Sequence, residues 1–235
     1  MENKVEKIGE NDLIKQMFKS GAHYAYSKSK RHPSAKKYIF GAKNKVEIFD
    51  LEKTEKMLEE AKEFIKSVVN SGKQVLFISG KSEVKNILQY SADLVSQPYV
   101  IRRWIGGTLT NFSEVRKRVK KLVDMKTKKE KGEYVKYTKK ERLLFDREIK
   151  KLEENFGGII SMESLPGAIF VIDSKREKSA VSEAIMKKIP IISLSNSDCD
   201  FDVINYPIPA NDASISSITF FVNQIIEVCK VSQTK

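Results

Sequence analysis

The chain has 235 residues, 40% of them hydrophobic, which suits one sizeable α/β domain with a small appendage and excludes a disordered polymer. Forty-three Lys and Arg against 31 Asp and Glu leave +12, and an excess of that size points to an anionic partner. No run of about 18 apolar residues and no signal-peptide order of basic, apolar and small segments occurs, so no membrane partner is expected and the setting should be cytoplasmic or organellar.

Charge is spread unevenly. Residues 111–153 hold 16 basic and 8 acidic side chains, two thirds of the whole excess, and Lys19 to Lys45 holds eight basic residues and no acid. Two separate positive surfaces are implied. Cys199 and Cys229 have neither C-x-x-C nor Cys/His zinc spacing, so reduced thiols are expected.

In chain order, Asp50 caps an amphipathic helix whose Leu58, Ala61, Ile65 and Val68 recur at helical spacing. The apolar run Val75-Leu76-Phe77-Ile78 reads as a strand, Ser82 to Val95 as a helix, and Tyr99-Val100-Ile101 as a second strand. Arg103 to Phe112, entered through the basic pair Arg102-Arg103, then joins the only tryptophan (Trp104) and the Gly106-Gly107 pair. This run reads as a hinge in which the glycines permit a tight turn and Asn111, three residues before Glu114, caps the helix that follows.

Beyond it, Val115, Val119, Leu122 and Met125 make one narrow apolar stripe, and Phe145, Ile149, Leu152 and Phe156 another. Thr138 to Glu141 reads as a capping box and Gly157-Gly158 as a stop, so residues 111–158 should form an antiparallel coiled-coil hairpin inserted into a body of residues 1–110 and 159–235. After it, Ala168 to Ile172, a helix over 175–188, the run Ile189 to Ile192, an irregular loop and a last helix from about Ser214 to Val228 repeat the strand and helix alternation. Short apolar runs between helices predict a parallel sheet covered on both faces, a three-layer α/β fold.

Sites for chemistry are scarce. Gly80-Lys81-Ser82 imitates the end of a P-loop, but the required earlier glycine is Val75. No G-x-G-x-x-G or G-x-S-x-G follows a strand, and His23 and His32 are the only histidines. Asp198, Asp200 and Asp202 are weak candidates for a metal, without EF-hand or zinc spacing. No cofactor, small-molecule substrate or catalytic residue is expected; the competing reading is a nucleotide- or nucleotide-sugar-binding α/β enzyme.

The run Arg103 to Phe112 also resembles the corresponding segment of the small-subunit ribosomal protein family S-two. Gly21-Ala22-His23-Tyr24, His32-Pro33, Tyr38 to Gly41, Ile48 to Thr54, Leu165-Pro166, Phe170 to Asp173, Cys199-Asp200 and Ile208 to Asp212 follow in that family's order. The resemblance implies a flavodoxin-like sheet, no enzymatic activity, and attachment to 16S-type ribosomal RNA beside neighbouring ribosomal proteins. It further implies docking of the messenger-capturing OB-fold protein S-one. Ala25, Tyr26, Arg31-His32, Gly167 and Ala210 depart from the family's pattern, which weakens transfer of any His/Asp metal site and leaves the basic surfaces untouched. The expected RNA contacts are His23, Lys28, Lys30, Arg31, Lys36 and Lys37 in the N-terminal loop, and Arg102 and Arg103 at the hinge. On the hairpin they are Arg116, Arg118, Lys120, Lys121, Lys128, Lys129, Lys139 and Lys140.

Overall fold

The computed structural model describes residues 12–233. Residues 12–19 are helical (α1), and after two 3-10 turns, Lys28–Lys30 and Pro33–Tyr38, the chain forms an antiparallel pair of strands, β1 (Ile39–Lys43) and β2 (Val46–Phe49). The body follows as α2 (Leu51–Asn70), β3 (Val75–Ile78), α3 (Lys85–Leu94) and β4 (Tyr99–Val100). Next come α4 (Phe112–Glu130) and α5 (Lys139–Phe156), then β5 (Ala168–Ile172), α6 (Lys178–Met186), β6 (Ile191–Ser195), β7 (Tyr206–Pro209) and α7 (Ile215–Gln233).

The five body strands form one parallel sheet in the order β4-β3-β5-β6-β7. That is the flavodoxin arrangement, in which the chain starts inside the sheet and steps out on both sides. Strand side chains alternate between two cores, as a period of two dictates. Phe77, Phe170 and Leu194 face Leu58 and Ile65 of α2, Leu88 of α3 and Phe221 of α7. Leu76, Ile78, Ile169 and Val171 face Ala180 and Ala184 of α6 together with Trp104, Val119 and Phe156. The three-layer expectation is therefore borne out.

Between α4 and α5, Leu122, Met125 and Ile149 form a buried cluster, while Val115, Val119 and Phe156 continue into the body core. The Thr138/Glu141 capping box is formed. Three details differ. Asn111 makes no side-chain cap, and the first turn of α4 is held by backbone bonds to the Asn111 carbonyl. Gly157 stays in the right-handed helical region and passes into a 3-10 turn; Gly158 matters more, because a Cβ there would collide with the Tyr99 carbonyl oxygen. The expected strand at Ile189 to Ile192 is displaced to Ile191–Ser195, and Pro190 contributes only its carbonyl, which accepts from Ile169 N–H.

Two elements escaped the apolar pattern. β7 lies within the expected irregular loop, and Pro207 and Pro209 disguise it; a strand with one unpaired edge tolerates residues that cannot donate. In the β1/β2 pair β1 is mostly exposed and β2 buries Glu47 beside Phe49, so no apolar run marks either strand.

Candidate nucleic-acid interface

The hinge loop is built around a carboxylate supplied from far along the chain. Gly107 turns with φ of +92°, and the loop's donors converge on Glu183 of α6. Oε1 accepts from Trp104 Nε1 at 2.9 Å and Gly107 N at 2.8 Å; Oε2 accepts from Leu109 N, Thr110 N and Thr110 Oγ1 at 2.9, 3.0 and 3.1 Å. Burial pushes the Glu183 carboxyl up, but these hydrogen bonds outweigh it and hold it below its ordinary value. A curled backbone with N–H groups aimed at one point is an anion cradle, and here the anion is internal. Trp104 is buried in the α6-side core, whereas Gly106 is exposed.

A second cluster sits past the C-terminal ends of β3 and β5. Lys81 Nζ lies 3.0 Å from Asp173 Oδ2, 3.1 Å from Asp212 Oδ2 and 2.6 Å from the Asp212 carbonyl. The two carboxylates hold the lysine's pKa above its ordinary value against burial. One ammonium shared by two acids cannot offset the burial of both, and Asp212 is pushed up to about 6. Cys199 completes the group, with Asp173, Cys199 and Asp212 ligand atoms within 4.8 Å of one another; burial pushes its thiol to about 11, far from activation. The lysine's own charge sits beside the only such grouping among the described residues. The expected acids do not converge: Asp198 pairs with Lys175 at 2.9 Å, Asp200 lies 3.7 Å from His32 Nδ1, and Asp202 lies 3.8 Å from Lys37.

The N-terminal basic loop is sewn to the loops after β6 and β7. His32 N donates to Ser197 O at 2.8 Å, Phe201 N to Ser34 Oγ at 2.9 Å, and Asn211 N to Ala22 O at 2.9 Å. This docking leaves Lys28, Lys30, Lys36 and Lys37 exposed. Arg31 instead pairs with buried Glu47 at 2.6 Å. His23 is a correction: it is only 7% exposed, stacked on Phe18 at 4.3 Å and against Tyr24 at 4.0 Å, and burial lowers its pKa. The side chains that reach solvent there are Phe18 and Tyr24.

On α4 and α5 the cations divide into two classes. Arg116 is turned inward, donating to the Ile160 and Met162 carbonyls at 3.3 and 2.9 Å. Lys121 pairs with Glu148, Lys126 with Glu153, and Lys129 with Asp146, and these bridges tie α4 to α5. Arg102 pairs with Glu154 at 3.1 Å. Arg118, Lys120, Lys128, Lys139 and Lys140 are exposed, and among the described residues no carboxylate lies within ion-pair distance of them; the same holds for Arg103.

With this geometry in view, comparison with known proteins is decisive. The sequence pattern of the family described as Ribosomal protein S2 matches residues 17–231. The chain belongs to the ribosomal protein S2 family. Its relatives include the small ribosomal subunit protein uS2 of Karelsulcia muelleri, 43% identical over 90% of this chain and 96% of the relative. That of Roseiflexus castenholzii is 41% identical over 91% and 81%, and that of Borreliella burgdorferi is 40% identical over 90% and 82%. Membership in the S2 family makes the chain a ribosomal protein of the small subunit, and the expected resemblance is borne out. Of the two side chains that organise the sheet's C-terminal edge, Lys81 was seen in the sequence only as part of a failed P-loop, and Glu183 escaped sequence reasoning; only the oddity of an acid on the apolar face of α6 could have drawn attention to it.

Proposed function

We propose that the chain is a structural, non-catalytic component of the small subunit that binds 16S-type ribosomal RNA through two sets of solvent-exposed cations. Lys28, Lys30, Lys36 and Lys37 form one set on the docked N-terminal loop. Arg118, Lys120, Lys128, Lys139 and Lys140 form the other, on the α4/α5 pair acting as an inserted arm. The observation that carries this reading is on α4 and α5: the Lys121–Glu148, Lys126–Glu153 and Lys129–Asp146 pairs hold the helices together, while these five cations stay in solvent with no carboxylate within ion-pair distance among the described residues. Cations left unpaired on one element suit phosphate neutralisation with counterion release, and RNA shape then supplies specificity. The filled state of both ligand positions at the sheet edge, by Glu183 and Lys81, argues against the enzyme reading.

The protein also helps to dock neighbouring small-subunit proteins, S-one among them. Exposed Phe18, Tyr24 and Phe40 on the N-terminal part support this, since exposed aromatic rings favour protein contacts. The place of work is the ribosome, cytoplasmic or organellar. Binding of the purified protein to small-subunit RNA, measured across salt, tests the reading. The log-log slope should fall in magnitude by roughly 3 when Arg118, Lys120, Lys128 and Lys140 become alanine, at a little under one unit per phosphate contact. An unchanged slope would remove the arm from the interface.

A further inference from the structure

The C-terminal edge of the sheet retains one opening that the chain does not fill. A cavity of about 490 Å³ is bounded by Gly80 after β3, Arg103 and Gly106 of the hinge loop, and Arg176, Glu177 and Ser179 at the start of α6. It lies between the loops following β3 and β5, the strands at which a sheet of this order reverses direction and at which such folds seat their ligands.

Two guanidinium groups line this opening, and both are exposed. Among the described residues neither Arg103 nor Arg176 lies within ion-pair distance of a carboxylate, in contrast to Arg31 and Arg102. The acid on the wall, Glu177, accepts from Gly80 N at 2.9 Å and acts electrostatically on Arg176, which leaves the wall with two cations against one acid. The donors of the adjacent cradle are likewise taken by Glu183, so an incoming anion would be held by the arginines and the hydroxyl of Ser179, not by the loop backbone. Two planar forks with open space between them fit the tetrahedral oxygens of a phosphate.

We propose that this cavity is a phosphate seat, with Arg103 and Arg176 as its two clamps. It rests on the RNA-binding reading, in which the phosphate belongs to a ribosomal RNA backbone, and it adds a contact at the sheet edge that is separate from the arm and from the N-terminal loop. The same chemistry would accept the phosphate of a free nucleotide, and the experiment separates the two.

Three full-length proteins serve: wild type, R103Q/R176Q, and the arm variant R118A/K120A/K128A/K140A. Thermal unfolding first establishes that each is folded. Each is then titrated with small-subunit RNA, and with AMP by calorimetry. An RNA phosphate in the seat predicts that R103Q/R176Q binds RNA about 10-fold or more weakly, with a salt slope lower in magnitude by roughly 1 to 2, while the arm variant retains that contribution. A free nucleotide predicts AMP binding to wild type that R103Q/R176Q abolishes, with RNA affinity unchanged. R103Q/R176Q matching wild type for RNA, with no AMP binding by either, overturns the seat while leaving the arm reading intact. Wild type failing to bind RNA at low salt sinks the RNA-binding reading itself, and the AMP titration then decides the seat alone.

Discussion

Glu183 shows how one side chain can fix a loop that its own neighbours cannot. Five donors from Trp104 to Thr110 depend on its two oxygens, those of Trp104 and Leu109 buried and the others half-buried, so removing the acceptor leaves buried donors unsatisfied at about 1–3 kcal/mol each. Glu183→Gln keeps the volume but turns an NH2 group toward N–H donors. It is expected to lower stability by about 2–4 kcal/mol, seen as a fall of several degrees in thermal unfolding. Because hydrogen bonding holds the folded Glu183 pKa below its unfolded value, the stabilisation is present above the unfolded pKa and is lost as pH falls through the folded one. Asp212 behaves in the opposite sense: with its folded pKa raised to about 6, its contribution declines as pH climbs from about 4 through 6. Asp212→Asn should therefore gain on wild type across that window in chemical denaturation, because the amide does not titrate and Asp173 still pairs with Lys81. Lys81→Met removes the shared partner and is expected to cost about 3–5 kcal/mol in the same measurement, the scale of a buried ion pair that loses one member.

At the scale of elements, legibility followed the strength of the periodic signal. The α4 and α5 stripes were readable because Val115, Val119, Leu122 and Met125 keep helical spacing over three turns, and all four are buried. The capping box at Thr138 was readable because its two residues are local. Thr138→Ala should reduce stability by about 1 kcal/mol, detectable as lost helicity and a small shift in melting temperature. β7 was unreadable because two of its four residues are proline, and the β1/β2 pair because β1 is mostly exposed and β2 buries a glutamate, Glu47, beside Phe49, so neither strand carries an apolar run. The Asn111 cap failed for a related reason: the residue type suited a cap, but Glu114 is turned to Lys117 and the Asn111 backbone already holds the first turn. Of the candidate interface, the charge segregation was visible in composition, whereas the sorting of cations into paired and unpaired sets depends on contacts between α4 and α5 that only folding reveals.

Across the whole molecule, a fold architecture that ordinarily cradles a ligand at its sheet edge has filled most of that edge with its own ions. Glu183 occupies the anion cradle and Lys81 sits between the acids. Added Mg2+ or Zn2+ should leave the melting temperature of the wild-type protein unchanged within about 1 °C, whereas a protein holding a saturating metal there would gain stability by mass action. A rise of several degrees would show that a cation competes with the lysine.

The distance along the chain between Glu183 and its loop has a consequence for biosynthesis. The ribosome making this protein releases residues 103–112 and both long helices, α4 and α5, before it adds Glu183. Until α6 emerges, the donors of the loop have no carboxylate to organise them, and the root of the α4/α5 pair has no fixed direction. Synthesis therefore includes a locking step in which one later side chain fixes the loop at the root of an element whose sequence was completed twenty-seven residues earlier.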